Sequence, residues 1–589
     1  MFGIGSAPSF GSVTVPADRL QPSTHWVMHD EPDEAAVNAL AEALHLPQAI
    51  CRLLVQRGFA DIDGAKRYLR PGLDQLHDPL LFTGMDVAVA RLVRAIRNGE
   101  RILVHGDYDV DGICSTALLL RALRLWGANA VPFIPRRIED GYDLTMAGVH
   151  AAVQEHASII VTCDCGTTAT EPVRAAREAG VDVIITDHHL PSRDDALPEA
   201  LAILNARRPG CAYPDKDLAA VGVAYKLALA LARALGVSNA PVHEMLDLVA
   251  LATVADVAPL RGENRILVRH GLKRMEHSRN VGLRALIHAA GLEGKPLTAG
   301  RVGFIIAPRL NAVGRLDHAL RGVELLMTDS EDEANAIARV LEETNRRRQQ
   351  LDRDTLAEAR DMVAALDLHE TYGIVLAREG WHAGVIGIVA SRLVEEFCRP
   401  VVLVAVHEGQ GKGSGRSIGG FDLHAGLTEC RHLFTRYGGH KAAAGVSLPA
   451  ERVAEFAVAF NAVARTRLTQ SDFVRRVHVD LAVPLPEASE DLERLLRHFE
   501  PYGAGNPQPV FVARGVRLAS PPRVIGKQRD HLKLRLADDD AQMDALGWGM
   551  ADRARDLADS MTVDVAYRLE RDDWNGRQQL QLKLADLRR

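Results

Sequence analysis

The chain has 589 residues, too many for one hydrophobic core, so roughly three or four domains are expected. At 47% hydrophobic and 25% charged it is neither a disordered nor a fibrous chain, and it has no apolar run long enough to cross a bilayer. Its formal charge of −7 weighs against a nucleic-acid binder that works by bulk positive charge, although a basic groove can coexist with an acidic total.

From the N-terminus, Met1 to Thr24 is rich in Ser, Pro and Gly and lacks a basic start followed by an apolar segment. It reads as a flexible leader (residues 1–27), not a secretory signal. The seven cysteines are scattered and odd in number, which fits a reducing cytosol rather than a disulfide framework. Residues 28 to 100 carry mostly helical patterning. Arg101 to Val104 then reads as a buried strand and Ile113 to Trp126 as a helix. Between them lies His105-Gly106-Asp107-Tyr108-Asp109-Val110-Asp111-Gly112, which puts three carboxylates and a histidine in the turn where a parallel strand feeds a helix. Ligands bind at that edge of open α/β sheets. Two more apolar runs end alike: Ser158 to Thr162 before Cys163-Asp164-Cys165, and Val181 to Thr186 before Asp187-His188-His189. Continuous apolar runs are strands buried on both faces. Glu171 to Gly180, between them, is helical. Acids at several strand ends predict one shared site built from several loops.

Ser330 to Leu366 contains no glycine or proline and opens on a Ser330/Glu333 capping box. It predicts one helix of about 55 Å, a strut between domains with Arg346, Arg347 and Arg348 on a solvated face. A second α/β unit follows, with a strand at Gly373 to Ala377, a helix at Val385 to Phe397 and a strand at Pro400 to Val406. The glycine-rich stretches Gly411 to Ser417 and Gly438 to Gly445 read as loops whose N–H groups suit phosphate oxygens. From Asp472 onward, alternation at Leu532, Leu534 and Leu536, then Val563, Val565, Tyr567 and Leu569, then Leu580, Leu582 and Leu584 predicts a small antiparallel β domain, a barrel, with a hairpin signal at Asn575-Gly576.

Like charges packed this closely repel, so something positive must hold them, and metal ions fit best. His105, Asp109 and Asp111 offer an imidazole and two carboxylates; Asp164, His188 and Asp256, at the end of an apolar helix, complete two sites. Mixed oxygen and nitrogen ligation suits Mn²⁺, oxygen-only ligation Mg²⁺. Two such ions about 3.5–4 Å apart can activate a water and stabilise the charge of an in-line phosphoryl displacement. Asp187 is expected to orient the ring of the ligand His188 from behind, and His189 to face the substrate. Asp107 is open between a cap on the following helix and a share in the cluster. Cys163 and Cys165 read as buried packing.

At Asp187-His188-His189 the chain resembles the DHH phosphoesterase superfamily. Gly106 to Gly112, Glu139-Asp140-Gly141-Tyr142, Thr253 to Leu260 and Pro308 to Leu316 resemble its RecJ branch. Trp381 to Gly387, Gly413 to Ser417 and Gly438-Gly439-His440 resemble the DHHA1 domain, and Pro501 to Pro507 looks like the entry to an oligonucleotide-binding (OB) fold. The resemblance implies a parallel-sheet DHH domain with a helical lead-in (residues 28–329) and a connecting long helix (330–366). A smaller α/β DHHA1 domain (367–471) and an OB-like antiparallel β-barrel (472–589) would follow.

It also implies a single-strand-specific 5′→3′ DNA exonuclease that releases 5′ mononucleotides by two-metal hydrolysis with Mn²⁺ or Mg²⁺, in recombination and repair. Asp109, Asp111, Asp164, His188 and Asp256 would be metal ligands. His105 fits the wider superfamily pattern. His189 would contact the scissile phosphate. Arg137 and Arg309 would grip the 5′ phosphate, and Arg416, Ser417 and His440 the DNA phosphates. The implied setting is a cytoplasmic monomer, off the membrane, partnered by a RecQ-type helicase and a single-strand binding protein. Cys165 stands where the family usually has asparagine; activity is expected to survive, and an accessible thiol there would confer sensitivity to oxidation. The rival readings are a pyrophosphatase or short-oligonucleotide phosphodiesterase of the same superfamily, and a catalytically dead DNA-binding scaffold. The barrel favours a long polymer over the first, and the intact acids favour an enzyme over the second.

Overall fold

The computed structural model describes residues 24–589 except 138, 193–195, 540, 559–560 and 573–578. Most of the expected leader and the Asn575-Gly576 turn therefore lie outside the described residues. The described chain forms two compact units. One is Gln349–His478 with the described residues before Met28; the other is Met28–Arg348 with Val479–Arg589.

In the larger unit the acid-ended apolar runs form one parallel sheet. Its strands are β1 (Arg101–Gly106), β2 (Asn129–Phe133), β3 (Ile159–Cys163), β4 (Asp182–Thr186) and β5 (Ala202–Leu204), in the order β2-β1-β3-β4-β5. Alternate residues feed two apolar clusters. Ile102, Val104, Ile159, Val161 and Ile184 enter one; Leu103, Ile160, Val183 and Ile185 enter the other. Both faces are covered, which is why these strands read as continuous apolar runs. Helix α1 (Val110–Leu125) begins three residues before the expected Ile113, because Asp109 caps it. Helices α2 (Ala220–Leu235), α3 (Leu246–Ala255) and α4 (Ala307–Leu316) complete the frame around the site; α4 continues from a π-helical turn at Val302–Ile306.

The long helix is continuous as α5 (Glu331–Ala364), 34 residues or about 51 Å. Only half of its capping box forms. The Glu333 amide donates to Ser330 Oγ at 3.3 Å, but the Glu333 carboxylate accepts from the Thr328 hydroxyl rather than from the Ser330 amide.

The smaller unit carries β6 (Ile374–Glu379), α6 (Ile386–Phe397), β7 (Val401–His407), β8 (Gln410–Arg416), β9 (Arg436–Gly439) and β10 (Ala443–Pro449) in a sheet ordered β9-β10-β8-β7-β6. This corrects the reading of Gly411 to Ser417 as a phosphate-binding loop: all but its last residue is the central strand β8, laddered to β7 and β10. Its glycines answer to packing. A Cβ on Gly413 would stand 2.5 Å from Val446, and one on Gly411 2.8 Å from Val404. The second glycine-rich stretch is the β9–β10 hairpin, turning at His440 to Ala442.

The C-terminal sheet comprises β11 (Leu481–Ala482), β12 (Phe511–Leu518), β13 (Arg523–Ile525), β14 (His531–Asp538), β15 (Ala541–Gly547), β16 (Thr562–Asp572) and β17 (Gln579–Arg588). Its order is β11-β12-β16-β17-β15-β14-β13, and a β12–β14 pairing makes it a partly closed, mainly antiparallel barrel. Helices at Glu34–Leu44, Gln48–Gln56 and Ile62–Leu69 precede the parallel sheet in the chain. Yet Val37, Leu40, Leu53 and Leu54 share the apolar cluster of the barrel's Phe511, Leu534 and Val565.

Candidate metal centre and active site

The acids emerge where sheet pairing stops. The amides of Asp107, Asp164 and Asp187 still donate to the next strand, to Cys163, Thr186 and Leu204 carbonyls at 3.2, 2.9 and 3.1 Å. Each side chain is therefore the first past its strand. Strand order reverses at β1/β3, the crevice where doubly wound sheets bind ligands. Asp164 takes a left-handed φ of +67°, which ends β3. Gly112 is required for the β1 turn to close on α1: a Cβ there would lie 2.4 Å from the Asp107 carbonyl oxygen.

Two helix starts aim positive backbone ends at this edge. Asp109 Oδ1 accepts from the amides of Asp111 (2.9 Å) and Gly112 (3.1 Å) at the start of α1. Buried Asp111 reaches the start of α2, with Oδ2 accepting from the Ala220 amide at 3.0 Å and Oδ1 from Val221 at 2.9 Å. Asp256 arrives as the C-cap of α3.

Three overlapping groups result, each with ligand atoms within 4.8 Å of one another: Asp111, His188 and Asp256; Asp107, Asp109 and Asp164; and Asp164, His188 and His189. Asp107 Oδ1, Asp164 Oδ1 and His188 Nε2 are buried without hydrogen-bond partners, though the last two approach to 3.2 Å. Burial and neighbouring carboxylates push Asp111 up to about 7 and Asp256 to about 8, and hold Asp107 and Asp164 well above the usual carboxylate range. Burial pushes His188 down to about 3, keeping a neutral imidazole, the form that ligates. Acids that cannot ionise together and donor atoms with no partner fit divalent cations. The oxygen-rich set with one imidazole suits Mn²⁺ and admits Mg²⁺.

Asp187 behaves differently from expectation. Its Oδ1 accepts from His189 Nδ1 at 2.8 Å and from the amides of His188 and His189, and Oδ2 from the Thr167 amide. It orients His189, not His188. Although burial opposes charge, the Asp187 hydrogen bond raises His189 to about 9, while Asp187 itself is held low. The Tyr142 hydroxyl stands 3.0 Å from His189 Nε2. Tyr142 lay in a motif with no role attached; only the fold brings it to this ring.

His105 is not brought into the cluster. Fully buried in β1, it packs on Gly148 and Phe133, with Nδ1 3.5 Å from Cys165 Sγ. Asp107 takes the place in the cluster, and Asp109, not Asp107, is the helix cap. Cys163 and Cys165 are buried packing as read, so the thiol at Cys165 is not accessible, and burial raises its pKa further. Exposed Arg137 lies over the Tyr108 ring at 4.8 Å, beside Asp107. Arg309 is engaged instead: Nε donates to Glu342 at 2.6 Å and the guanidinium also donates to the Ile305 carbonyl, with its side chain 12% exposed. The expected grip of Arg309 on a 5′ phosphate would require that ion pair to open.

In the smaller unit the Ser417 amide donates to the Ala442 carbonyl at 3.0 Å, which places Ser417 beside the turn carrying exposed His440. Arg416 donates to Ser414 Oγ and reaches Gly387 in the first turn of α6, where a Cβ would stand 3.1 Å from its NH2. The three expected phosphate-binding residues thus share one end of their sheet.

Family models match in chain order: the DHH family N-terminal domain at residues 101–253, the DHHA1 domain at 370–466 and the RecJ OB domain at 479–586. The chain is 40% identical over 506 residues to the single-stranded-DNA-specific exonuclease RecJ of Thermus thermophilus (86% of this chain, 71% of that protein). It is 35% identical to that of Dickeya dadantii (92% and 96%) and 36% identical to that of Bacillus subtilis (94% and 70%). Among solved structures, RecJ from T. thermophilus in complex with Mn²⁺ superposes with a TM-score of 0.83 at 36% identity, covering 97% of this chain and 80% of that one. The same protein with Mg²⁺ gives 0.76 at 35% identity, covering 96% and 78%.

Proposed function

Because the chain belongs to the RecJ family of single-stranded-DNA-specific exonucleases, we propose that its strand-end acid cluster is the centre at which it hydrolyses the phosphodiesters of single-stranded DNA. The observation that carries this is the convergence of Asp107, Asp109, Asp111, Asp164, His188 and Asp256, with buried donor atoms left without partners.

Asp111, His188 and Asp256 would hold one divalent cation and Asp107, Asp109 and Asp164 another, with Asp164 next to both. When bound, such a pair supplies an activated water and charge stabilisation at the phosphate. The α1 and α2 N-termini hold Asp109 and Asp111 in fixed geometry, so little reorganisation accompanies loading. Asp187 keeps the proton of His189 at Nδ1 and so turns Nε2 toward Tyr142. That leaves a cationic ring to stabilise charge on a phosphate oxygen. Arg137 receives a 5′ phosphate. Arg416, Ser417 and His440 grip backbone phosphates, and the barrel holds the incoming strand. Digestion runs 5′→3′ and releases 5′ mononucleotides, in recombination and repair. A RecQ-type helicase and a single-strand binding protein are the proposed partners of a cytoplasmic monomer; among the described residues no helix is long and apolar enough to cross a membrane.

Single strands labelled at either end and digested with Mn²⁺, Mg²⁺ or chelator test this. Loss of the 5′ label as mononucleotide, only with metal, is expected. Undiminished digestion after exhaustive chelation, or first release from the 3′ end, would refute it.

A further inference from the structure

The loop that enters the barrel, Pro501 to Pro507, lies against the segment that carries Asp256. The Leu260 amide donates to the Ala504 carbonyl at 2.7 Å, and Arg261 Nε to the Gly505 carbonyl at 2.9 Å. The approach leaves no room for side chains. A Cβ on Gly503 would stand 2.7 Å from Leu260, and one on Gly505 2.9 Å from Arg261 Nε and 3.0 Å from Pro259.

The braced segment is a strained one. Beyond the Asp256 cap, Val257 takes a left-handed φ of +59°, where glycine is usual and a β-branched residue is strained. The Val257 and Ala258 amides close this turn on the Val254 and Thr253 carbonyls, each at 3.2 Å. The brace continues inward through buried Asn264, which donates to the Pro259 carbonyl at 3.1 Å and accepts from the Ala219 amide at 3.3 Å. The next two amides, Ala220 and Val221, are those that hold Asp111. Hydrogen bonds, joined by short stretches of backbone, therefore connect the barrel loop to both Asp256 and Asp111.

We propose that the barrel's entry loop is a positioning element of the metal centre. By bracing the Val257 turn and, through Asn264, the anchor of Asp111, it sets the affinity of the Asp111–His188–Asp256 group for a divalent cation. This rests on the reading of that group as a metal site. Without the brace the strained turn relaxes, the Asp256 carboxylate leaves its place and the preformed ligand geometry is lost. The barrel then does more than hold a strand: whatever moves residues 501–507 changes cation affinity, and by linkage the cation acts back on the loop by the same factor.

The test is Mn²⁺ titration of the full chain without DNA, following free Mn²⁺ by electron paramagnetic resonance. Arg261→Gln keeps an N–H at the Nε position, Arg261→Met keeps the stem without a donor, and both remove the charge. Arg261→Met should weaken one Mn²⁺ site by about 10-fold, the low end for outer partners of metal ligands. Arg261→Gln should bind like wild type, and neither should change Tm. Adding Val257→Gly, which relieves the strain, should restore Mn²⁺ affinity to Arg261→Met. Equal affinity in wild type, Arg261→Met and Arg261→Gln overturns the inference alone. A wild-type chain that binds no Mn²⁺ overturns the metal reading with it.

Discussion

Asp164 has two opposed effects, and a single substitution separates them. Without cations it is a buried acid among acids, held in place at a cost; with cations it would be a ligand. Asp164→Asn is therefore expected to raise Tm in EDTA and to abolish the rise that Mn²⁺ gives wild type, worth about 2.7 kcal/mol at 100 times Kd. Thermal scans with and without Mn²⁺ check it; a lower Tm in EDTA would contradict it. Asp187→Asn should cut turnover about 10- to 100-fold while leaving Mn²⁺ binding unchanged, because Asp187 holds His189 and no cation. Arg137→Ala should lessen the preference for 5′-phosphorylated over 5′-hydroxyl ends, read from paired rates on the two substrates. The convergence of Asp109, Asp111, Asp164, His188 and Asp256 was legible in sequence, because groups closing apolar strands and an apolar helix meet at one edge of the sheet. The roles of Asp107 and Asp187 were not: which oxygen faces an amide and which faces the cluster depends on backbone angles that spacing does not fix.

At the scale of elements, apolar periodicity carried most of the fold. The three acid-ended parallel strands, the long α5 and the alternating strands β14, β16 and β17 stand within a few residues of where the pattern placed them, whereas β2 and β5 carried no such signal. The glycine-rich β8 is the exception, since composition alone does not separate a loop from a strand pressed between Val404 and Val446. If its glycines serve packing, Gly413→Val should destabilise the smaller unit by about 1–3 kcal/mol in denaturant unfolding and leave Mn²⁺ binding untouched. Arg309, expected from the family resemblance to grip a 5′ phosphate, ties α4 to α5 through Glu342. Arg309→Ala should lower stability by about 1–2 kcal/mol, between the exposed and buried limits for ion pairs.

For the whole molecule, two compact units part within the long helix, at Arg348, and the unit holding the metal centre gathers segments from both ends of the chain. Helices before the parallel sheet and strands after the smaller unit make one core. No local pattern reveals such pairing, because it is decided by which apolar faces remain uncovered once each element has formed. The proposed centre of that unit would cage a cation pair, and anomalous diffraction at the manganese edge from Mn²⁺-soaked crystals measures it most directly. Two peaks are expected, one among Asp111, His188 and Asp256 and one among Asp107, Asp109 and Asp164. A map with no peak at either place would contradict it.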